Sequence, residues 1–166
     1  MCRLFEVRAM DTELSRIADI CKSLRLAIES APANSKPISF RNFPFGSCRD
    51  TCLMLATLFQ EEGVVGFKTL MGERGIQCDG SWSTHAWLDR EGLAVDITAD
   101  QFVDAPSGII VSIDSPWHRG FTITESEDCS LVKPQEGASC HIYDLWQFYQ
   151  KLGIASLGRG GPSHTG

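Results

Sequence analysis

The chain has 166 residues, 43% of them apolar, which suits one globular domain with its own core and excludes a disordered segment. A formal charge of −6, from 15 basic and 21 acidic residues with no basic run, excludes the electrostatic footprint of a nucleic-acid binder. No apolar run approaches ~18 residues and no apolar leader core opens the chain, so a soluble protein without membrane contact is expected.

Seven cysteines, at 2, 21, 48, 52, 78, 129 and 140, are odd in number and irregular in spacing. Cys48-x3-Cys52 resembles neither a zinc knuckle nor a redox pair. Free thiols in a reducing compartment fit better than a disulfide framework. The expected location is therefore cytoplasmic, or that of a domain released from a larger secreted protein.

Residues 1–10 carry no clear period. From Asp11, Leu14, Ile17, Ala18, Cys21, Leu24 and Ile28 recur at helical steps, and Ser30-Ala31-Pro32 ends that scaffold helix. A proline-containing loop over 31–47 follows, long enough to be functional. A second helix is predicted over 47–62, with Cys48, Cys52, Leu55, Ala56 and Phe59 on one face and Gly63 as its stop. Val64 to Met71 reads as a strand, and the glycine-rich 72–83 as a loop.

Asp89-Arg90-Glu91-Gly92 predicts a four-residue hairpin loop that pairs 88 with 93 and 85 with 96. Alternation then puts Thr84, Ala86, Leu88, Leu93, Val95 and Ile97 on a core face. Ser83, His85, Trp87, Ala94, Asp96 and Thr98 share the other, with His85 and Asp96 as cross-strand neighbours. Further strands are expected over 108–113 and 121–124, and a polar loop over 125–139. Ser139 caps a last helix with Ile142, Leu145, Trp146, Tyr149 and Leu152 inward and Gly153 as its stop. One domain over 1–156 and a flexible tail over 157–166 complete the expected layout.

The chemistry concentrates at Gly46-Ser47-Cys48, a glycine-containing turn entering a helix. A helix start carries about half a positive charge and unpaired N–H groups. A cysteine there gains thiolate character, which Asp50 in the same turn opposes. Its amides can also hold an oxyanion. His85 lies 37 positions on and Asp96 another 11, giving a nucleophile, a base and an orienter. Asn42 and Gln101 are the candidate side-chain donors to the oxyanion, Trp87 a candidate cleft wall, and Ser47 a further substrate-side residue. Cys52 sits too far into the helix to be the nucleophile. Cys48, Cys52 and His85 supply only three metal donors without a second pair, so no metal is expected. His118, His141 and His164 show no partner pattern and read as surface residues.

Gly46-Ser47-Cys48 resembles the nucleophile turn of papain-like enzymes. The order Cys, His, Asp, with His85-Ala86-Trp87 and then Asp96-Ile97-Thr98, is more similar to the transglutaminase-like superfamily. There a cysteine helix precedes a strand bearing H-x-W, and the next strand bears D-x-T. Cys52, a small residue four after the nucleophile, and Gly63, fifteen after it, extend a likeness that covers about residues 42–101. The resemblance implies an α+β fold with a transglutaminase-like (papain-like) core, in which the nucleophile helix packs on an antiparallel sheet. It implies thiol chemistry at amide bonds of a peptide or protein, as in peptidases, glutamine deamidases, crosslinkers and some arylamine acetyltransferases; small bacterial members also cleave leader peptides. Crosslinkers carry an aromatic directly after the cysteine; Arg49 stands there and points away from that subgroup.

The expected function is a cysteine hydrolase or acyl transferase working through a covalent thioester, without a cofactor. Two other readings stay open: a catalytically silent peptide-binding module of the same fold, and a deamidase- or transglutaminase-type toxin or effector domain. The sequence carries no signal of oligomeric state.

Overall fold

A computed structural model describes residues 2–128, 130–131 and 133–154, with side chains from residue 8 onward. The expected tail over 157–166, with His164, lies outside the described residues. No helix among the described residues is long and apolar enough to cross a membrane.

The described residues form an α+β fold, with three α-helices and one five-stranded antiparallel sheet. Helix α1 spans Cys2–Ser30, so it begins nine residues before the periodic stretch that announced it at Asp11. Its buried residues are Ile17, Ile20, Cys21, Leu24 and Ile28, the apolar stripe at helical spacing. Arg8, Ala9 and Met10, just before that stripe, are exposed.

The segment from Ala31 to Ser47 carries two single 3-10 turns and packs Phe40 fully into the core, 5.3 Å from the Phe148 ring. Helix α2, Cys48–Glu61, follows, and Gly63 at φ 74 stops it. The expected single apolar face is too narrow. Thr51, Cys52, Met54, Leu55, Ala56, Thr57, Leu58 and Phe59 are all buried, because the sheet lies against one side and α1 and the α3 region against others. A helix buried nearly all round is the central element of its domain.

The strands are β1 (Lys68–Arg74), β2 (Ser83–Arg90), β3 (Leu93–Asp96), β4 (Ile110–Ile113) and β5 (Thr122–Glu127), in spatial order β4-β3-β2-β1-β5. β1 begins later and ends later than the Val64–Met71 expectation, running through Gly72, Glu73 and Arg74. Gly72 sits in mid-strand for a steric reason. A Cβ there would lie 2.9 Å from Phe121 Cβ and 3.1 Å from the Trp87 ring. Here the missing side chain admits two aromatic residues, Phe121 and Trp87, rather than a turn. β5 continues past Thr124 to Glu127, and its polarity reflects an exposed edge strand.

The β2–β3 hairpin closes through two residues, not four. Glu91 and Gly92 both have positive φ, at 52 and 88, the requirement of a type I′ turn. Arg90 pairs with Leu93, Asp89 with Ala94 and Leu88 with Val95, a slip of two from the expected register. An even slip keeps every side chain on its face. Ala86, Leu88, Leu93, Val95 and Ile97 therefore join the helix-covered core. Trp87 and Ala94 join a second cluster with Phe121 on the opposite face. Continuing the register sets Asp96 beside Trp87, so His85 and Asp96 are diagonal rather than directly opposite.

Helix α3, Cys140–Leu152, starts at Ser139, whose hydroxyl accepts the Ile142 N–H, and ends at Gly153 with φ 56, as its capping residues predict. Leu145, Phe148 and Tyr149 are buried; Ile142, Trp146 and Leu152 are half-buried against the same core. The described cysteines 21, 48, 52, 78 and 140 are free thiols.

The substitution Gly72→Ala tests the close approach at the middle of β1. Urea unfolding should show a loss of about 1–3 kcal/mol, the usual cost of overpacking, whereas Gly120→Ala, where an added Cβ meets nothing within 4 Å, should stay close to wild type.

Candidate active site

Three elements converge at the start of α2. The turn Arg41–Gly46, with Gly46 at φ 69, hands the chain to Ser47 and Cys48. Ser47 is fully buried, and its hydroxyl donates to Pro44 O at 2.8 Å. That bond commits Ser47 to holding the turn. Cys48 is half-buried at the first position of α2.

β2 brings His85 to Cys48. The His85 imidazole and the backbone N–H groups of Ala86 and Arg49 lie close enough to the Cys48 sulfur to favour its thiolate. Alternation along the hairpin turns the Ala86 N–H toward the side where β3 would pair with it. β3 stops at Asp96, and that N–H is among the groups that lower the Cys48 pKa.

His85 Nε2 lies 2.6 Å from Asp96 Oδ2, with both side chains buried. Thr98 fixes the other carboxylate oxygen through its backbone N–H at 2.7 Å and its hydroxyl at 3.1 Å. Gln101 Nε2 lies 3.1 Å from His85 Nδ1 and donates to Thr98 O at 3.0 Å, so it stands on the Cys48 side of the ring. Asn42 is exposed in the turn before α2, where its carbonyl accepts the Phe45 N–H at 2.8 Å. Of the two expected oxyanion donors, Gln101 is the one that touches His85.

Aromatic rings enclose the imidazole. Trp87 is buried and stacks 5.9 Å from His85, with Phe102, Trp117 and Phe121 at 5.1, 5.6 and 5.7 Å. The Arg74 guanidinium caps this box, 4.6 Å from the Phe121 ring and 4.8 Å from that of Phe102. Asp104 holds Arg74 by two bonds of 2.6 and 2.7 Å and accepts the Trp117 indole N–H at 3.1 Å.

His118 corrects the expectation of a surface residue. It is buried on the 3-10 turn that follows β4, with Nε2 3.2 Å from Asp96 Oδ2 and Nδ1 2.8 Å from Ser115 Oγ. The signal in the sequence was slight: Ser115, three residues earlier, is a turn-capping pattern. Nothing in the spacing tied that turn to Asp96. His141 is exposed as expected, but it has a partner: Nε2 lies 2.9 Å from Asp50 Oδ1. The carboxylate that opposes a thiolate at the α2 N-terminus thus has its own hydrogen-bond partner.

His85, Asp96 and His118 are also close enough to suggest a metal site, with donor atoms within 4.8 Å of one another. An ion held at ~2.0–2.2 Å by each ligand needs those ligands more than 2.6 Å apart. The observed separations of 2.6 and 3.2 Å are those of hydrogen bonds.

The electrostatics follow from these contacts. Burial pushes Asp96 upward, but hydrogen bonds from His118, His85 and Thr98 outweigh it and hold the carboxyl well below its usual range. Burial pushes His85 downward, and its bonds to Asp96 and Cys48 reverse this, raising its pKa to about 9. Burial raises the Cys48 thiol, and His85 with the Ala86 and Arg49 N–H groups brings it below the ordinary value. Cys21 is the contrast: burial pushes its pKa far up, and it is an inert core residue. The arrangement can hold a thiolate–imidazolium pair backed by a carboxylate.

Comparisons of the chain with protein-family models, with characterised proteins and with solved structures find no match.

The Asp96→Asn variant tests the carboxylate's hold on the ring. Wild-type His85 should titrate near 9 by NMR, and in the variant the midpoint should fall below the ordinary histidine value of about 6.5 as burial takes over. Because the folded-state pKa of His85 is raised, the stability it contributes is complete below about 6.5 and is lost as pH rises through about 9. Denaturant midpoints measured across that range should show the decline in wild type and not in the variant.

Proposed function

We propose that this chain is a thiol-dependent hydrolase or acyl transferase acting on amide bonds of a peptide or protein, built on a transglutaminase-like (papain-like) core. The observation that carries the reading is a His85–Asp96 pair bonded at 2.6 Å beside Cys48 at a helix N-terminus, with His85 lowering the thiol pKa. The α+β layout, with the cysteine helix against an antiparallel sheet and the histidine and aspartate on adjacent strands, supports the fold assignment.

Cys48 is the nucleophile. Its thiolate adds to the amide carbonyl, and the oxyanion is held by the Cys48 backbone N–H with the Gln101 amide. The C–N bond then breaks as His85 Nδ1 gives its proton to the departing nitrogen, leaving an acyl thioester and a neutral imidazole. Water, or an amine, attacks the thioester while yielding its proton to Nδ1. The C–S bond breaks and the thiolate–imidazolium pair is restored. Asp96 keeps His85 in the tautomer with Nδ1 facing the sulfur and stabilises the imidazolium. Water at the second step gives hydrolysis or deamidation; an amine gives transfer. The aromatic box around His85 excludes solvent, which strengthens the ion pair.

The working window lies between the lowered pKa of Cys48 and the value of about 9 for His85. Iodoacetamide labelling read by peptide mass spectrometry tests the pair. At pH 6 Cys48 should alkylate at least tenfold faster than the exposed Cys78 and Cys140, and His85→Ala should abolish the advantage. Acid quenching after incubation with an amide-peptide library should trap an acyl adduct on Cys48 that Cys48→Ala lacks. Equal labelling of all three thiols, with no adduct, would reduce the site to a peptide-binding scaffold.

A further inference from the structure

Asp96 Oδ2 accepts from two histidines, and the proposed chemistry uses only one. His118 and Asp96 side chains are 4% and 1% exposed, so their bond of 3.2 Å is shielded from water. Ser115 stands behind His118, its hydroxyl 2.8 Å from Nδ1 and 3.5 Å from the His118 backbone N–H. A hydroxyl both donates and accepts. With neutral His118 it donates to the bare Nδ1; with the imidazolium it accepts from Nδ1–H. In either state Nε2 carries the proton and points at Asp96.

We propose that His118 is a positioning residue that acts on His85 through Asp96, by fixing Oδ2 between the two rings and drawing off part of the carboxylate's charge. The inference rests on the thiol–imidazole reading above. Two N–H donors on one oxygen compete: each takes electron density the other would use. His85 must also release its Nδ1 proton to the leaving nitrogen, and a catalytic acid works best with a pKa near the working pH. An undivided Asp96 carboxylate would hold that proton on His85. The shared carboxylate keeps His85 able to let it go.

The charged and titratable groups that bear on the pair come from each neighbouring element. Cys48 faces His85 from α2, Thr98 and Gln101 reach the site from beyond β3, and Asp96 charge extends to Cys21 on α1. Trp87, Phe102, Phe121 and Trp117 pack around the His85 and His118 rings without charge, and the Arg74–Asp104 pair lies beyond those rings. His118 is therefore the remaining titratable partner among the described groups in hydrogen-bond contact with Asp96.

Long-range ¹H–¹⁵N NMR of the wild-type chain provides the first test. His118 should carry a proton on Nε2 across the pH range; a bare Nε2 with the proton on Nδ1 overturns the proposal without any substitution. The second test compares His118→Phe with His118→Gln. In the Phe variant the His85 titration midpoint should rise by about one pH unit, the scale of one lost hydrogen bond to a charged group. Cys48 should still alkylate fast at pH 6, while release of the acyl adduct slows. In the Gln variant, whose amide can donate to Oδ2, the His85 midpoint should return toward wild type. A merely structural role would lower the His85 midpoint and the alkylation rate together, and an unchanged midpoint in the Phe variant would leave no coupling; either result overturns the proposal. Slow Cys48 alkylation in wild type is a separate result, since it strikes the thiol reading whatever the His118 variants do.

Discussion

An ionised carboxylate buried from water is tolerated only where hydrogen bonds replace its hydration. Asp96 meets that condition with four donors: the backbone and hydroxyl of Thr98 on one oxygen, and two imidazoles on the other. Most of the site is arranged by this demand. Thr98 must turn its N–H back, which ends β3. His85 must present Nε2, which turns Nδ1 away from Asp96, toward Gln101. The turn after β4 must come in close enough to deliver His118. A buried charge thus converts a solvation problem into a geometry, and that geometry orients the His85 ring.

Helix α2 supplies the other half. It is buried on almost every side, so its first turn is rigidly placed by packing of α1, α3 and the sheet. A fixed position for Cys48 is what such burial provides. The opposite face of the sheet has a different job. Trp87, Phe121, Phe102 and Trp117 surround the imidazole, and Arg74 with Asp104 closes the box from the solvent side. The domain therefore has one core that fixes the helix and a smaller one that insulates the histidine.

The residue types and the faces were legible in the sequence; several distances between elements were not. Cys48, His85 and Asp96 meet because helix-start chemistry and two-residue alternation are local properties. The hairpin loop was read as four residues because Asp89 and Arg90 look like turn material, yet Glu91 and Gly92 alone make the turn. The slip was even, so the facial assignment survived. Gly72 was read as loop because a strand glycine and a turn glycine look alike until the ring that fills its place is known. His118 could not be linked to Asp96 from spacing, since a loop and a strand separate them and no period connects them. Gln101 was identified for its polar amide, and its place beside Nδ1 depended on the 3-10 turn after Thr98.

The early end of β3 carries a consequence of its own. Ala86 lies in a sheet, yet β3 ends before pairing with its N–H, which is among the groups that lower the Cys48 pKa. One more ladder pair would complete the sheet by regular hydrogen bonding and would occupy the donor that Cys48 uses. The most regular version of this fold would therefore give its thiol one stabilising donor fewer. A gap the width of a single residue separates a finished sheet from one that keeps an amide for a thiolate.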